Sequence, residues 1–209
     1  MSLKRKDFLN LLIIILFYLS YIILVRIGLS QIPRYILGFV FAFILFYFFR
    51  NEIKNKIKFE FPLIKENIWL GIKLIFGVYF TGFILTMIVL YFFGNNEDYT
   101  HLVYVGSKFT IFTIVSNILI FPIIEEIFYR FIVFDYLKTK IKYNFLIILI
   151  ISFFFAIGHL NNQIRLFLWS LFVTYIYSKT EKLITVIIFH IFTVAISYVL
   201  MYYFVEVNI

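Results

Sequence analysis

The chain has 209 residues, of which 64% are hydrophobic, 23% are aromatic and only 14% are charged. This composition is too apolar for a soluble domain and is typical of a polytopic membrane protein. No cysteine occurs, which excludes disulfides, thiolate nucleophiles and cysteine-based metal sites. The net charge of +8 falls in short clusters between apolar runs, which favours a role in membrane topology over nucleic-acid binding.

Taken in chain order, seven apolar segments are long enough to cross a bilayer, for which about 20 residues are needed. The first has a basic start, but its apolar run is too long for a signal peptide and no small-residue cleavage site follows, so we expect it to remain as a membrane helix. We predict an all-α fold, a polytopic membrane helical bundle of about seven transmembrane helices that forms one domain over residues 1–209. The segments lie near residues 8–28, 33–49, 68–94, 109–137, 144–160, 164–178 and 183–205.

The lysines and arginines between these segments predict the orientation of the bundle. Connections alternate between two faces, and cytoplasmic connections carry the excess of basic residues. This rule places the N-terminus in the cytoplasm and the C-terminus outside, in a cell membrane. The cytoplasmic face carries thirteen basic residues: Lys4, Arg5, Lys6, Arg50, Lys54, Lys56, Lys58, Lys65, Lys138, Lys140, Lys142, Lys179 and Lys182. The other face carries four: Arg26, Arg34, Lys108 and Arg165.

Two connections are rich in polar residues. Residues 50–67, RNEIKNKIKFEFPLIKEN, alternate charged and apolar side chains, and we interpret them as a solvated linker, with an interfacial helix as the alternative. Residues 94–100, GNNEDYT, have the turn residues and acidic charge of an outer loop. The sequence contains no internal repeat and no linker long enough to separate two domains.

Several ionisable or amide side chains lie inside the apolar segments. In the bilayer core an ionisable side chain costs roughly 2.5–3.5 kcal/mol, so it faces the interior of the bundle and marks a functional site by default. Of the three histidines, His101 lies in the outer loop and the other two lie inside apolar segments. The residues inside the segments are Asn117, Glu125, Glu126 and Arg130 on the fourth, His159 on the fifth and His190 on the seventh.

The stretch FPIIEEIFYR gives two adjacent acids different partners. Glu126 and Arg130 are four residues apart with the acid nearer the N-terminus, the spacing that pairs two side chains on one helix face. Glu125 is rotated by about 100° from Glu126, so the arginine neutralises it less well and it is available for chemistry. Counted at about 1.5 Å per residue from the predicted helix ends, Glu125, His159 and His190 can share one layer, which predicts a catalytic or ligand-binding cluster.

Three short motifs resemble those of the CAAX protease and bacteriocin-processing family, also called the Abi family. EEIFYR fits the EExxxR motif, FAIGH fits FxxxH, and FHIFTV places a further histidine on a late helix. The resemblance covers about residues 110–200, and the motifs occur in the family's order, each on its own predicted helix. It implies a CAAX-protease-like catalytic core and an intramembrane glutamate-type endopeptidase.

The resemblance also implies a role for each motif residue. Glu125 is the general base that acts with His159 on a water molecule, and His190 helps to hold the developing oxyanion. Glu126 belongs to the same catalytic set, with a purely structural ion pair to Arg130 as its equal alternative. The chemistry of the residues is compatible with this, because peptide hydrolysis without a serine, cysteine or metal needs an activated water and a buried carboxylate is a suitable base.

One position departs from the family pattern. The family often has an asparagine four residues after the later histidine, and this chain has Val194 there. Loss of one oxyanion donor costs on the order of 100-fold to 1000-fold in rate. The side chains that could replace the donor are Thr193, Asn161 and Asn162.

Other interpretations compete with an endopeptidase. Two histidines and a glutamate can hold zinc, but no HExxH motif occurs, and we expect no metal or other cofactor. The polar residues can also be interhelical hydrogen bonds, each contributing about 0.6 kcal/mol, in a non-enzymatic immunity or regulatory protein that binds a peptide or membrane partner. A transporter is less favoured because the two halves show no inverted repeat.

The expected partners are the lipid bilayer and a peptide or membrane-protein substrate, without nucleic acid. The resemblance implies the functions of the family's prokaryotic members, which are peptide maturation, peptide signalling and bacteriocin self-immunity. We therefore expect a peptide precursor as the substrate, with a prenylated protein as the alternative.

Overall fold

The computed structural model describes residues 31–77, 111–159 and 163–206, together with individual positions at 12, 15, 16, 18–20 and 23. Within these residues the ordered elements are helices joined by turns, and no strand occurs, which confirms the all-α prediction. The first predicted segment is described only at those single positions, the third only to residue 77, and the outer loop with His101 lies outside the described residues.

Six helices account for the described part of the chain after residue 30. Helix α1 is followed by a short 3-10 turn, Phe61–Leu63, which has proline in its first turn where the missing N–H is not needed. Helices α4 and α5 pack against each other, as do α3 and α6. The helices are α1 (Gln31–Glu60), α2 (64–77), α3 (111–138), α4 (Asn144–Ile157), α5 (Gln163–Thr180) and α6 (Leu183–Glu206).

Helix α3 changes its winding twice, at Ser116–Ile120 and at Ile127–Val133, where it is a π-helix. In the first stretch the N–H of Phe121 bonds to the carbonyl of Ser116, five residues back. Pro122 follows directly and has no N–H for the α-helical ladder, which favours a local change of winding. Glu125 and the acid after it lie between the two stretches, in keeping with the frequent occurrence of π-helical turns at functional sites.

Residues 50–67 are helical, so their interpretation as a solvated linker is wrong. The chain continues as α1 to Glu60 and resumes as α2 after the 3-10 turn. The alternation of charge is misleading here because Ile53, Glu60 and Asn67 are buried against other helices. Helix α1 is bent at Phe49, where the backbone leaves helical geometry.

Glu60 connects the end of α1 to the start of α6. Its carboxylate accepts hydrogen bonds from the backbone N–H groups of Leu183, at 2.8 Å, and Ile184, at 2.7 Å. The first N–H groups of a helix have no partner within it, and a negative charge suits the positive end of the helix dipole. Glu60 therefore caps α6, the helix that carries His190.

The predicted number of seven membrane spans is not confirmed. Among the described residues one continuous helical stretch, Ile36–Gly77, which includes most of α1 and all of α2, is long and apolar enough to cross a membrane. Asn144–Ile157 and Leu183–Val199 are apolar but shorter.

Helices α3 and α6 run antiparallel and form the wall on which the polar residues lie. The side-chain amide of Asn117 donates to the hydroxyl of Tyr198 at 2.5 Å, and Glu126 contacts His190, so positions rise along α3 as they fall along α6. The hydrophobic core around this wall excludes water from one side of the polar residues. It includes Ile124, Ile127, Phe128, Ile151, Phe155, Val173 and Phe189.

Candidate active site

Glu125 lies between two histidines that come from different parts of the chain. Its Oε1 is 3.7 Å from Nε2 of His159, and its Oε2 is 3.8 Å from Nε2 of His190. The side chains of Glu125 and His159 are 28% and 31% exposed, whereas that of His190 is 7% exposed. Both distances exceed the range of a direct hydrogen bond, about 2.7–3.2 Å. The carboxylate of Glu125 thus faces both imidazoles without a direct hydrogen bond to either.

The sequence predicted His159 on a helix, and this is wrong: it lies in the turn just beyond the end of α4. Its Nδ1 is 2.8 Å from the carbonyl oxygen of Phe155, which can only accept, so Nδ1 carries the hydrogen. In the neutral ring Nε2 then has a lone pair, and this is the atom that faces Glu125. The ring also packs on that of Phe155, with centroids 4.6 Å apart.

Glu126 is fully buried and contacts two partners through one oxygen. Its Oε1 is 2.8 Å from Nδ1 of His190 and 3.2 Å from NH1 of Arg130. The contact with Arg130 has the spacing that the sequence predicts. Because a carboxylate is an acceptor, Nδ1 of His190 donates to it, and Nε2 of His190 is turned towards Glu125.

Arg130 is also fully buried, and it has contacts on α4 and α5 that the sequence did not predict. Its NH2 donates to the hydroxyl of Ser170 on α5 at 2.9 Å. Its guanidinium lies over the rings of Phe155 and Trp169, 4.8 Å and 5.5 Å from their centroids, in the arrangement of a cation–π contact. In the described part of the chain its Nε has no hydrogen-bond partner.

Sequence reasoning missed Ser170 and Trp169. The centroid of Trp169 is 4.4 Å from that of His190, so α5 supplies one side of the site. The only signal was a small polar residue beside a tryptophan in an otherwise apolar segment, which is common in helices that pack closely in membranes. Three-dimensional contacts are needed to recognise these two residues.

The other predicted side chains have separate outcomes. The hydroxyl of Thr193 donates to the carbonyl of His190 at 2.8 Å, so its hydrogen is bound within its own helix. Val194 is half-buried on α6. Asn161 and Asn162 lie outside the described residues.

A cation site needs several histidine or carboxylate ligands around one point. Within the described residues no group of three or more histidine, aspartate or glutamate side chains has the arrangement of a metal-binding site. What the cluster offers is a half-exposed carboxylate, one imidazole nitrogen with a lone pair and one imidazole held by a buried acid. That is a set of proton acceptors and donors around one open point.

Comparison with protein families finds a match for the C-terminal half of the chain. Residues 107–196 match the family described as type II CAAX prenyl endopeptidase Rce1-like. The matched region contains Glu125, His159 and His190, and it confirms the resemblance predicted from the three motifs. No curated protein and no solved structure matches the chain.

Proposed function

We propose that this chain is an intramembrane endopeptidase in which Glu125 activates a water molecule. Its residues 107–196 match the family described as type II CAAX prenyl endopeptidase Rce1-like, which supports this proposal. That family is membrane-embedded, and the match supports the activity of a CAAX-type intramembrane protease at the level of the family. The observation that carries the glutamate mechanism is the position of Glu125 between Nε2 of His159 and Nε2 of His190.

The two adjacent acids differ in what their surroundings leave them to do. Glu126 is excluded from solvent and contacts both a guanidinium and an imidazole. Among the described residues, Glu125 has the two longer contacts to imidazole nitrogens, and its side chain is 28% exposed. A polar contact longer than about 3.5 Å can be bridged by water, so a water molecule bound at this edge can contact the carboxylate and an imidazole together.

The hydrolytic step follows from these positions. Glu125 takes a proton from the water, and the water oxygen forms a bond to the carbonyl carbon of the scissile peptide. The lone pair on Nε2 of His159 accepts the second hydrogen of the water as a hydrogen bond. When the tetrahedral intermediate collapses, the carbon–nitrogen bond breaks and the proton passes from Glu125 to the leaving nitrogen.

In this proposal His190 stabilises the oxyanion of that intermediate. Its Nδ1 donates to Glu126, so its second donor exists when the ring carries hydrogen on both nitrogens, and the N–H at Nε2 then points into the space beside Glu125. Glu126 and Arg130 then act behind His190, because they hold its ring in one orientation and balance its charge. Donors that are fixed before the reaction stabilise developing charge without a reorganisation cost.

The substrate we propose is a peptide or membrane-associated precursor, with a prenylated protein as the other substrate class. A second function has one specific observation in its favour. Val194 stands where the family pattern has an asparagine, and this weakens the oxyanion site. An immunity or regulatory protein that binds a peptide without cleaving it would tolerate this substitution.

A comparison of peptides from cells separates the two functions. Cells would produce wild type, Glu125→Gln or His159→Ala at matched membrane levels, with Glu66→Gln as the control because Glu66 is exposed on α2. Mass spectrometry of secreted and membrane peptides should show a cleaved species with wild type and Glu66→Gln that both site variants lack. Identical peptides in all four, with the wild-type phenotype retained, would contradict hydrolysis and favour the binding protein. Cleavage by purified wild type that stops with a chelator and returns with zinc would favour the metal alternative instead.

A further inference from the structure

The turn that carries His159 lies against two tyrosine hydroxyls. The hydroxyl of Tyr129 donates to that of Tyr18 at 2.5 Å, and it lies 3.4 Å from the carbonyl oxygen of Phe154. Tyr129 is on α3, one turn after Glu125, and Tyr18 comes from the N-terminal part of the chain, outside the region that matches the family. The chain therefore brings a residue from its first predicted segment to the edge of the site.

These hydroxyls meet the end of α4, where backbone carbonyls lack helical partners. The carbonyl of Phe154 accepts from the N–H of Gly158 at 3.1 Å as well as facing Tyr129. The next carbonyl, that of Phe155, accepts from Nδ1 of His159 at 2.8 Å. Unsatisfied carbonyls are costly in an apolar environment, so the same interactions that finish the helix also hold the imidazole.

Gly158 shows how closely the tyrosines approach this turn. Its backbone is in an ordinary helical conformation, so its small size, and not its flexibility, is what the site uses. A β-carbon at this position would overlap the hydroxyl of Tyr18 and would lie 3.4 Å from that of Tyr129 and 3.3 Å from the carbonyl of Phe155. The Tyr18 hydroxyl is thus the main obstacle to a larger residue there.

We propose that Tyr18 and Tyr129 are positioning residues that hold the 158–159 turn and so keep His159 in the tautomer with hydrogen on Nδ1 and the lone pair on Nε2 facing Glu125. The expected effect on the cleavage rate rests on the proposed function. The expected tautomer of His159 does not, because it is a property of the protein without substrate. It also gives the N-terminal segment a part in the site, which the family-matched region alone does not contain.

Two opposite substitutions test the contact. Tyr18→Phe keeps the ring and its packing on Phe41, Phe128 and Tyr129, but it removes the hydroxyl that abuts the turn. Gly158→Ala adds the β-carbon that overlaps this hydroxyl. Each change shifts the turn, and a misplacement of about 1 Å can cost on the order of 100-fold in rate.

The double variant gives the sharpest result. Gly158→Ala alone should lower kcat/KM roughly 100-fold, and Tyr18→Phe alone roughly tenfold. Because Tyr18→Phe removes the atom that the new β-carbon meets, the double variant should recover to within roughly tenfold of Tyr18→Phe. Losses that simply multiply would overturn the proposal. Tyr47→Phe is the matched control, since Tyr47 is exposed on α1.

A second measurement does not depend on activity. The chain has three histidines, so ¹⁵N-labelled histidine gives three pairs of ring-nitrogen signals, and His159→Gln identifies one pair. The wild type and Tyr47→Phe should show His159 with hydrogen on Nδ1, while Tyr18→Phe and Tyr129→Phe should show a mixture of tautomers. The opposite tautomer in the wild type, or equal spectra in Tyr18→Phe and Tyr47→Phe, would overturn the proposal. A changed tautomer in a protein that cleaves nothing would contradict the proposed function and leave this inference standing.

Discussion

Two polar clusters contact helix α6, and their carboxylates differ in how closely they are bound. The Glu60 cluster, made of Lys56, Glu60 and Glu181, has a carboxylate bound by two backbone N–H groups and a lysine 3.4 Å away. The Glu125 cluster, made of Glu125, His159 and His190, has its shortest contact to that carboxylate at 3.7 Å. At about 1.5 Å per residue, the start of α6 and His190 are only about 10 Å apart.

The two carboxylates differ in how much of their capacity to accept hydrogen bonds is used by the fold. A buried carboxylate with short contacts to backbone N–H groups is committed to structure, and Glu60 is of this kind. Glu125 keeps its acceptor capacity, which a general base needs. Glu126 lies beside Glu125 but resembles Glu60, because its buried Oε1 contacts both Nδ1 of His190 and NH1 of Arg130.

Removing the cation behind Glu126 should have the largest effect on stability. Arg130→Met leaves the carboxylate of Glu126 buried without its guanidinium, and loss of one partner of a buried pair costs about 3–5 kcal/mol. Thermal unfolding in detergent should show a large drop in the midpoint. Arg50→Met, an exposed position on α1, is the control and should melt like wild type. Equal midpoints for the two variants would mean that the pair with Glu126 is not structural.

Restoring an amide at position 194 should strengthen the catalytic side of the comparison. If the site lacks an oxyanion donor, Val194→Asn should raise kcat about 10-fold to 100-fold with little change in KM. Val194→Leu controls for side-chain size and should not raise the rate. A lower rate in Val194→Asn would show that the half-buried valine does not lie beside the oxyanion.

Removing the cap at the other cluster should have a smaller effect. Glu60→Ala exposes the N–H groups of Leu183 and Ile184, and loss of a helix cap costs about 1–2 kcal/mol. The unfolding midpoint should fall while cleavage by the folded protein persists. Glu66→Ala on α2 provides the comparison. A fall in rate larger than the fall in folded fraction would instead mean that the cap controls the position of His190.

The smallest effect is expected at the exposed ion pair between Lys138 and Glu181. The hydrogen bond from Lys138 lowers the pKa of Glu181 below its ordinary value of 4.5. A lowered pKa stabilises the fold above the unfolded value, and this contribution is lost as the pH falls through the folded value. Because both side chains are about half exposed, we expect less than about 1 kcal/mol. The melting midpoints of wild type and Glu181→Gln should differ slightly at pH 7, and the difference should shrink as the pH falls through the lowered pKa of Glu181. A difference that grows on acidification would contradict this stabilising role.

The sequence predicted the long apolar helices well. Segments at 109–137, 164–178 and 183–205 correspond to α3, α5 and α6 within about two residues, because continuous apolar runs mark helices clearly. The contact between Glu126 and Arg130 followed from their spacing on one helix.

What the sequence could not predict depends on contacts between distant residues. The buried positions of Ile53 and Glu60 turn an apparent linker into helix, and no local pattern shows the N–H groups that Glu60 caps. His159 lies past the end of α4 because side-chain bonds finish that helix early. The placement of Ser170 against Arg130 likewise joins residues forty apart.

The most direct test of the account compares the two adjacent glutamates in purified protein in lipid. Glu125→Gln and Glu126→Gln would each be measured for thermal unfolding and for cleavage of the substrate peptide. We expect Glu125→Gln to melt like wild type and to lose cleavage at least about 1000-fold, whereas Glu126→Gln should have a clearly lower unfolding midpoint. Cleavage by Glu125→Gln at close to the wild-type rate would contradict the assignment of Glu125 as the base.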